Sequence, residues 1–308
     1  MPYFSIIIPT YNRPEHTKAS IDSCLSQDFD DLEVVVVDDA STDGTPEIVA
    51  AYEDPRVVLV RHETNSGHWL ARNTGVSHAT GEWCVFLDSD EELLEGALSR
   101  IHACAQSLPP EVARMGFMYR YDHGGLSPRP PLVEERVDYA GMVRWTGRSR
   151  HGADFLPVTQ RHTFEHAHYP PGRRFGAIYH FDFSRLYQTQ FYPDILALAH
   201  TNAVNRNTRS SMAKMLRDAA TAAAVGRRLM EEHGAAIEAA DTEAFCFFAA
   251  GAARWHFMAG QRAYGVRCMM RYLKHRPLSV KGWASIVLGL MGARVTAWSR
   301  ERARPRNV

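Results

Sequence analysis

The sequence predicts an α/β protein built on a mostly parallel sheet with helices on both faces. Strand-like and helix-like patterns alternate four times in about a hundred N-terminal residues, as is typical of such sheets. Polar clusters follow the first, second and fourth apolar runs, and open parallel sheets bind ligands beyond the carboxyl ends of their strands. From Ser210 the composition shifts to Ala, Met, Leu and Arg, which predicts a C-terminal helical extension.

The first four strand–helix pairs follow from apolar runs and from the residues that close them. Pro14 suits the first turn of a helix, and Thr80-Gly81 ends another. The predicted strands are residues 4–8, 32–37, 57–60 and 83–87. The predicted helices begin near residues 14, 45, 70 and 93, and the last of them extends to the proline pair at 109–110.

The middle of the chain is richer in Gly, Pro, Arg and His, which indicates a loop-rich, partly β region that lines a pocket. It has strand-like runs at 116–121 and 132–139, a helical pattern at 175–187, and an apolar run at 195–204 that returns to the core. Beyond it, helical periodicity predicts helices at 211–232, 241–264, 266–275 and 280–298.

The charge of the chain is balanced overall but uneven at its C-terminal end. Lys plus Arg and Asp plus Glu both number 35, so no global field favours a nucleic-acid partner. The last residues combine five arginines with one acid (Arg294, Arg300, Arg302, Arg304, Arg306 and Glu301). An apolar helix face that runs into a basic end fits peripheral contact with an anionic membrane surface, and a helix packed on the domain with a solvated tail is the alternative.

The positions of the cysteines and the lengths of the apolar runs indicate the cellular compartment in which the protein is expected. The five cysteines are scattered, and Cys24, Cys84 and Cys104 fall within apolar-patterned elements, which favours buried thiols in a reducing compartment. We expect no signal peptide, because no basic region followed by a long apolar core precedes the first strand. The apolar run at 282–293 is shorter than the roughly 20 residues that a membrane span needs. The expected location is cytoplasmic, with peripheral contact at the inner face of the membrane.

Two carboxylates one residue apart end the fourth predicted strand. In an extended chain Asp88 and Asp90 point to the same side, and hard oxygen ligands suit Mg²⁺ or Mn²⁺ shared with a diphosphate. A solvated turn followed by a helix N-cap is the alternative for an isolated pair of this kind. The polar ends of three neighbouring strands would meet on one rim, which favours the metal site.

Five ordered motifs resemble the family 2 inverting glycosyltransferases of the GT-A fold. They are SIIIPTYN at 5–12, VVDDASTDGT at 36–45, NSG at 65–67, ARNTG at 71–75 and LDSD at 87–90. The resemblance covers about a third of the chain and implies a Rossmann-like sheet that binds a nucleotide-diphospho-sugar. It implies domains at 1–207 and 208–308, with donor binding in 1–108, the acceptor side in 109–207, and helices with a basic tail beyond.

The resemblance also assigns the donor-binding residues. Pro9, Thr10 and Tyr11 would lie at the nucleotide base, with the Tyr11 ring against uracil. Asp39 would accept a hydrogen bond from the uracil ring N–H, and Arg72 would sit beside the nucleotide and the diphosphate, where a fixed cation offsets phosphate charge.

At the fourth strand, the resemblance assigns Asp88 and Ser89 to the ribose and diphosphate. Asp90 would bind the metal ion directly, with Asp88 as a second metal ligand. A divalent metal between the phosphates stabilises a nucleoside diphosphate leaving group.

The general base is the point at which this sequence departs from the family. A carboxylate pair usually opens a helix after the acceptor region, and here Ala177, Ile178 or Tyr179 stands in its place. Asp182 is the nearest carboxylate and is the expected base; the alternatives are His180, Asp154 and Glu165. A carboxylate at this site would take the proton of the acceptor hydroxyl.

Two other groups in the middle region have alternative interpretations. His162, His166 and His168 have a spacing compatible with zinc, but no Cys or carboxylate arrangement completes a tetrahedral set. Arg173 and Arg174 could bind an acidic acceptor or the diphosphate, or lie in a solvated loop.

The sequence thus favours a metal-dependent inverting glycosyltransferase that uses a UDP-sugar, with dTDP- and GDP-sugars less favoured. Its acceptor would be a saccharide or lipid-linked saccharide of cell-envelope polysaccharide assembly. A non-catalytic nucleotide-sugar-binding module is the first alternative, because the carboxylate pair is replaced. A sugar-1-phosphate nucleotidyltransferase is the second, but it would need a glycine-rich loop where residues 9–12 read Pro-Thr-Tyr-Asn.

Overall fold

The structure, a computed structural model, describes residues 1–148, 154–171, 175–201 and 212–302, with side chains to residue 299. The chain divides into two compact units. The first comprises Met1–Met142, Ser149–Tyr169 and Tyr179–Arg206, and the second Val143–Arg148, Pro170–Ile178 and Asn207–Val308. The predicted domain boundary at 207–208 lies outside the described residues.

The first unit contains one ten-stranded sheet. Its strands are β1 (Phe4–Thr10), β2 (Leu32–Asp38), β3 (Val57–Arg61), β4 (Trp83–Phe86), β5 (Glu91–Leu93), β6 (Val112–Tyr121), β7 (Leu126–Ser127), β8 (Glu135–Val137), β9 (Leu156–Gln160) and β10 (Gln188–Ala199). The order is β3-β2-β1-β4-β9-β6-β10-β5, with β7 beside β6 and β8 beside β10.

Strands β1 to β4 pair in parallel, as do β6 and β10. Strand β9 runs antiparallel to both β4 and β6, so β6 points the same way as β4. The α/β prediction is confirmed. The sheet is mixed, because β5, β7, β8 and β9 are antiparallel to the strands with which they pair. The carboxyl ends of β1, β2 and β4 therefore meet at one edge, which is where the motifs lie.

Helices cover the sheet. They are α1 (Pro14–Leu25), α2 (Thr45–Ala50), α3 (His68–His78), α4 (Ala97–Ala105), α5 (Tyr139–Arg148) and α6 (Ala177–Ser184), and a 3₁₀ turn spans Arg161–Glu165. Alternation along β1 divides the core between the two faces of the sheet: Phe4, Ile6 and Ile8 pack with residues of α1 and α4, while Ile7 packs with residues of α3 and α6.

The second unit contains the C-terminal helices, which confirms the predicted helical extension. They are α7 (Met212–Arg228), α8 (Gly234–Ala240), α9 (Thr242–Met258), α10 (Arg262–His275), α11 (Val280–Met291) and α12 (Ala293–Arg302), with a π-helical turn at Leu229–His233 between α7 and α8. Alanines and methionines of α7 pack against Trp255 and Met258 of α9.

Several predicted boundaries were wrong. The run at 132–139 forms only the short strand β8 before α5 begins at Tyr139, and the run at 280–298 is broken at Gly292, whose φ of 121° ends α11. The segment after Asp90 is the short strand β5, paired with β10, rather than the start of a helix.

All five cysteines are buried and carry free thiols, and for Cys24, Cys84 and Cys104 this agrees with their predicted place in apolar-patterned elements. Within the described residues, no helix combines the length and the apolar character that crossing a membrane requires.

Candidate active site

The loops after β1 and β2 are joined at the carboxyl edge of the sheet. The amide of Asn12 donates to the Ser41 hydroxyl at 2.9 Å, and the Asn12 side chain accepts from the amide of Thr42 at 2.8 Å. The amide of Arg13 donates to Thr45 Oγ1 at 3.0 Å. Asn12 and Ala40 both have positive φ, 51° and 64°, a strained backbone that these cross-loop bonds hold in place.

Asp39 ties the end of β2 to the beginning of α3. Its carboxylate accepts from the amides of Ser66 and Gly67, each at 2.7 Å, and lies 2.9 Å from His62 Nδ1. The other ring nitrogen of His62 contacts Thr74 Oγ1. These bonds use about three of the four lone-pair positions of the carboxylate, and its side chain is 4% exposed.

The other residues predicted at the nucleotide base lie at the end of β1. Pro9 is buried in the strand, and Tyr11 is half-buried just beyond it. The hydroxyl of Thr10 contacts that of Thr17 on α1 at 2.6 Å, and the Thr10 carbonyl accepts from the Asp39 amide. The side chain of Thr10 therefore contributes to packing against α1.

Arg72 and Asp88 form an ion pair at the end of β4, with 2.6 Å between Nη2 and Oδ1. The Arg72 guanidinium lies over the rings of Phe86 and Tyr169, 5.6 Å from each centroid, which fixes its plane. Burial opposes ionisation of Asp88, but the Arg72 and His68 charges lower the pKa of the carboxyl below its usual value. The predicted cation thus neutralises one of the predicted acids.

Asp90 is paired with a cation that the sequence motifs did not single out. Arg13 Nη1 lies 3.0 Å from Asp90 Oδ1, and both side chains are 12% exposed. The same nitrogen donates to the Ser89 hydroxyl at 3.3 Å. Arg13 therefore connects the β1 loop directly to the loop after β4. The signal that could have found it is a cation placed just after the polar end of the first strand.

Glu91 adds a third carboxylate to this loop. Its Oε2 accepts from the Asp88 amide at 3.0 Å. Burial, followed by the negative charges of Asp88 and Asp90, raises the pKa of Glu91 well above its usual value. Such crowding of carboxylates is a donor set that fits a divalent cation with hard oxygen ligands, since an added cation would relieve the repulsion.

His200 and Glu92 lie beside this loop, and no sequence motif predicts them as site residues. His200 Nε2 lies 2.5 Å from Glu92 Oε1, and the His200 amide donates to the Asp90 carbonyl at 2.8 Å. The His16 ring lies 5.9 Å from that of His200. Residues 92 and 200 are distant in the chain, and only the antiparallel pairing of β5 with β10 brings them together.

Asp154 lies at the same edge of the sheet. It lies two residues before β9 begins at Leu156, which pairs with Phe117 near the carboxyl end of β6. Burial, followed by the charges of Asp154 and Glu91, raises the pKa of Tyr119. The negative charges of both carboxylates therefore contribute to the electrostatic environment of Tyr119.

Asp182 and His180 lie on opposite faces of α6, because residues two apart on a helix point about 200° apart. Arg114, fully buried, donates from Nη1 to His180 Nδ1 at 3.1 Å. An arginine only donates, so the proton of the neutral His180 ring is on Nε2. Burial, followed by the Arg114 and Arg72 charges, holds the pKa of His180 well below its usual value. Burial raises the pKa of the Tyr139 hydroxyl to about 12, and the negative charge of Asp182 contributes in the same direction.

The remaining sequence candidates lie elsewhere. Glu165 is exposed beyond β9, and the three histidines considered for zinc are exposed. Among the residues that the structure describes, these histidines form no convergent metal-ligating group. Arg173 and Arg174 lie outside the described residues.

Comparison with known proteins identifies the family. The model of the family described as glycosyl transferase family 2 matches residues 5–180, more than half of the chain. The chain belongs to this family. The prediction of a family 2 glycosyltransferase is therefore confirmed.

The relatives cover parts of the chain. A GalNAc(5)-diNAcBac-PP-undecaprenol beta-1,3-glucosyltransferase from Campylobacter jejuni is 40% identical over 104 residues, which is 33% of this chain and 34% of that protein. The chain spans between 32% and 61% of the length of three curated relatives that it matches.

Solved structures share the fold. Staphylococcus aureus TarS 1-349 in complex with UDP-GlcNAc has a TM-score of 0.63 at 18% identity, covering 100% of this chain and 93% of that one. The mannosyltransferase PcManGT from Pyrobaculum calidifontis, in complex with GDP-Man and Mn²⁺, has a TM-score of 0.55 at 22% identity, covering 98% and 87%. These likenesses confirm the GT-A fold.

Proposed function

We propose that this chain transfers a sugar from a nucleotide-diphospho-sugar to a saccharide hydroxyl, with inversion at the anomeric carbon. A UDP-sugar is the first choice of donor. The observation that carries the proposal is the junction of the loops after β1, β2 and β4, where Arg13 pairs with Asp90 and Arg72 with Asp88. Cations and carboxylates at the carboxyl edge of a parallel sheet suit a diphosphate with a bridging metal ion.

The acidic loop after β4 is the place for Mn²⁺ or Mg²⁺. Asp90 would hold the ion, with Asp88 as second ligand, and Ser89 would lie at the ribose and diphosphate. A divalent cation there supplies positive charge against the leaving nucleoside diphosphate. Support comes from the crowding of Asp88, Asp90 and Glu91, and from the Mn²⁺ named with the PcManGT structure.

Arg13 and Arg72 would then neutralise phosphate charge. Each now pairs with a carboxylate that is expected to bind the ion, so a metal–diphosphate pair offers these arginines new anionic partners. The rings of Phe86 and Tyr169 keep the Arg72 plane fixed for such a contact.

The nucleotide base would lie at the end of β1. Asp39 retains about one lone-pair position, enough to accept the uracil ring N–H. Tyr11 would stack on the base, while Pro9 and Thr10 would shape the wall, because the Thr10 hydroxyl is occupied by Thr17. The UDP-GlcNAc named with the TarS structure is consistent with a uridine donor.

The general base is a choice between two carboxylates. Asp182 is the carboxylate nearest in sequence to the place of the family's carboxylate pair, but it lies on the face of α6 turned away from His180. Asp154 lies just before β9, near the carboxyl end of β6, and its charge, like that of Glu91, raises the pKa of Tyr119. We therefore favour Asp154 as the group that takes the acceptor proton, with Asp182 as the alternative. His180 is disfavoured because its Nδ1 accepts from Arg114.

The acceptor would be a saccharide, or a lipid-linked saccharide, in the assembly of a cell-envelope polysaccharide, with the protein acting at the inner face of the membrane. The support is the Campylobacter relative, whose name specifies an undecaprenol-linked substrate.

The test measures binding and release separately. UDP-, dTDP- and GDP-sugars are titrated calorimetrically with Mn²⁺, and nucleoside diphosphate release is assayed with saccharide acceptors. Asp154→Asn should lower kcat by about 10²- to 10⁴-fold and leave donor affinity unchanged, while Asp182→Asn retains activity. The reverse pattern would assign the base to Asp182.

A non-catalytic nucleotide-sugar-binding module is the second candidate, motivated by Ala177 and Ile178 in place of the family's carboxylate pair. Donor binding without release in the wild type, Asp154→Asn and Asp182→Asn would support the module. Absence of both binding and release with every donor would overturn both candidates.

A further inference from the structure

Helix α11 turns its large apolar side chains outward. Val280, Trp283, Val287, Leu290 and Met291 are 80%, 49%, 58%, 50% and 64% exposed. Their spacing of three and four residues puts them on one face of the helix, which we call the α11 apolar face. A helix whose only role is to cover a core would bury these side chains.

The opposite face of α11 consists of small residues and makes the packing contacts. A Cβ on Gly289 would lie 2.6 Å from Phe257 Cδ1, and one on Gly282 would lie 2.8 Å from Leu273 Cδ2. The helix therefore approaches α9 and α10 through glycine, and the side chains of the α11 apolar face stay between about half and four-fifths exposed. The exposed side chains can be changed without opening a cavity.

The segment that contains this face carries only basic charges. The sequence from Leu278 to Ser299 contains Lys281 and Arg294 and has no acidic residue. Both basic residues are exposed. Beyond them the sequence of residues 300–306 adds Arg300, Arg302, Arg304 and Arg306 against Glu301. An apolar face on a segment with basic and no acidic residues from 278 to 299 complements an anionic surface with an apolar interior.

Two tryptophans suit the interface of such a surface. Trp283 donates from its indole nitrogen to the Pro277 carbonyl at 2.9 Å, yet its ring remains 49% exposed. Trp298 on α12 is 47% exposed. Indole rings partition into the headgroup region of bilayers, where an apolar ring meets water.

We propose that the α11 apolar face docks on the surface of a bilayer rich in anionic phospholipid. Val287, Leu290 and Met291 enter the boundary of the acyl chains, and Lys281 and Arg294 contact the phosphate groups of the lipids. The helix lies on the membrane and does not span it, since it is 12 residues long. This inference deepens the proposed function, because a lipid-linked acceptor is presented at that surface.

The test is flotation of the full chain with vesicles, without donor or acceptor, so that its result is independent of catalysis. Vesicles of phosphatidylcholine alone are compared with vesicles that also contain phosphatidylglycerol. Wild-type protein should float with the anionic vesicles, and its tryptophan emission should shift to the blue. Trp283→Phe should lose most of that shift.

Two variants identify the face. Val287→Ser with Leu290→Ser removes apolar contact, and Lys281→Glu with Arg294→Glu reverses the local charge. Each pair should lower partitioning into anionic vesicles by about tenfold or more. Matched controls elsewhere are Leu186→Ser with Met270→Ser, which are also exposed apolar residues, and Arg144→Glu on α5; these should partition like wild type. Unchanged circular dichroism confirms that the variants fold.

The competing occupant is a second copy of the chain, and ultracentrifugation of the same variants separates the two cases. Loss of a dimer in Val287→Ser with Leu290→Ser, without vesicle binding by the wild type, would overturn the proposal. Equal binding to neutral and anionic vesicles would overturn the role of charge. Vesicle binding by a protein that releases no nucleoside diphosphate would support the face and count against the proposed enzyme.

Discussion

Arg13 and Arg72 supply the acidic loop after β4 with counter-charge from two different elements. Arg13 comes from the β1 loop and Arg72 from α3, and each contacts one carboxylate at 3.0 and 2.6 Å respectively. At the scale of the residue, a metal ion that binds Asp90 competes with a guanidinium that is already present. On the proposed metal site, metal affinity would therefore depend on an arginine that is not itself a ligand.

Arg13→Gln should raise the affinity of the nucleotide-free protein for Mn²⁺ by roughly three- to tenfold, because it removes the cation paired with Asp90. The measurement is the free Mn²⁺ signal in electron paramagnetic resonance during titration. Lys18→Gln, which removes an ion pair with Asp22 on α1, is the control and should leave the affinity unchanged. Unchanged or weaker Mn²⁺ binding by Arg13→Gln would contradict this competition.

The sequence predicts the site residues that lie at strand ends, but it does not predict the residues with which they interact. Asp39, Asp88 and Asp90 directly follow apolar runs, so parallel strand order alone brings them to one edge. The contacts of Arg13 and the effect of the Asp154 charge on Tyr119 depend on loop conformation and on β9. Sequence spacing carries no information on either.

At the scale of the element, strands with long apolar runs were predicted and β9 was not. Leu156–Gln160 is short, contains Pro157 and ends in Thr159 and Gln160, so it lacks both alternation and length. It becomes a strand because β4 and β6 provide hydrogen-bonding partners on both sides. Tertiary context, rather than local propensity, forms this element.

Helix α11, unlike β9, has a strong apolar pattern. That pattern predicts the helix but does not predict which of its faces is buried. Periodicity predicts a helix with one apolar face and leaves open whether that face is buried or exposed, whereas in the structure glycines form the buried face. The fit of Gly289 against the Phe257 ring decides which side of the helix faces the protein. Such contact depends on shape, which a hydropathy pattern does not encode.

Gly289→Ala should therefore destabilise the protein by about 2 kcal/mol, because the added methyl group overlaps the Phe257 ring and outweighs the better helix propensity of alanine. The measurement is the free energy of unfolding in urea. Gly44→Ala is the matched control, since nothing lies within 4 Å of its added Cβ and its φ is −71°. Equal stability of the two variants would show that α11 can shift to accommodate the methyl group.

At the scale of the whole molecule, burial of His180 links folding to pH. Its pKa in the folded protein is lower than in the unfolded chain, so the unfolded state binds the additional proton as the pH falls below about 6.5. The contribution of His180 to stability should be constant above that pH and should decrease below it. Burial also lowers the pKa of His256 in the second unit, so that unit contributes in the same direction.

His180→Asn should reduce this loss of stability at acid pH, because an asparagine side chain can accept from Arg114 and does not titrate. The measurement is the urea midpoint between about pH 5 and pH 8 for wild type and variant. His78→Asn, an exposed histidine of α3, is the control and should keep the wild-type slope. A variant with the full acid slope would assign the effect to other groups.

The bonds from Asn12 and Arg13 to Ser41, Thr42 and Thr45 have a consequence for engineering. The loop after β1 and the loop after β2 are separate in the chain but are held together by these bonds. Exchanging one loop alone would therefore leave polar atoms of the other without hydrogen-bond partners. A chimaera designed to accept a different donor should therefore import both segments from the same parent. Exchange of only one loop would break the hydrogen bonds between the loops, and this loss would precede any change in donor selectivity.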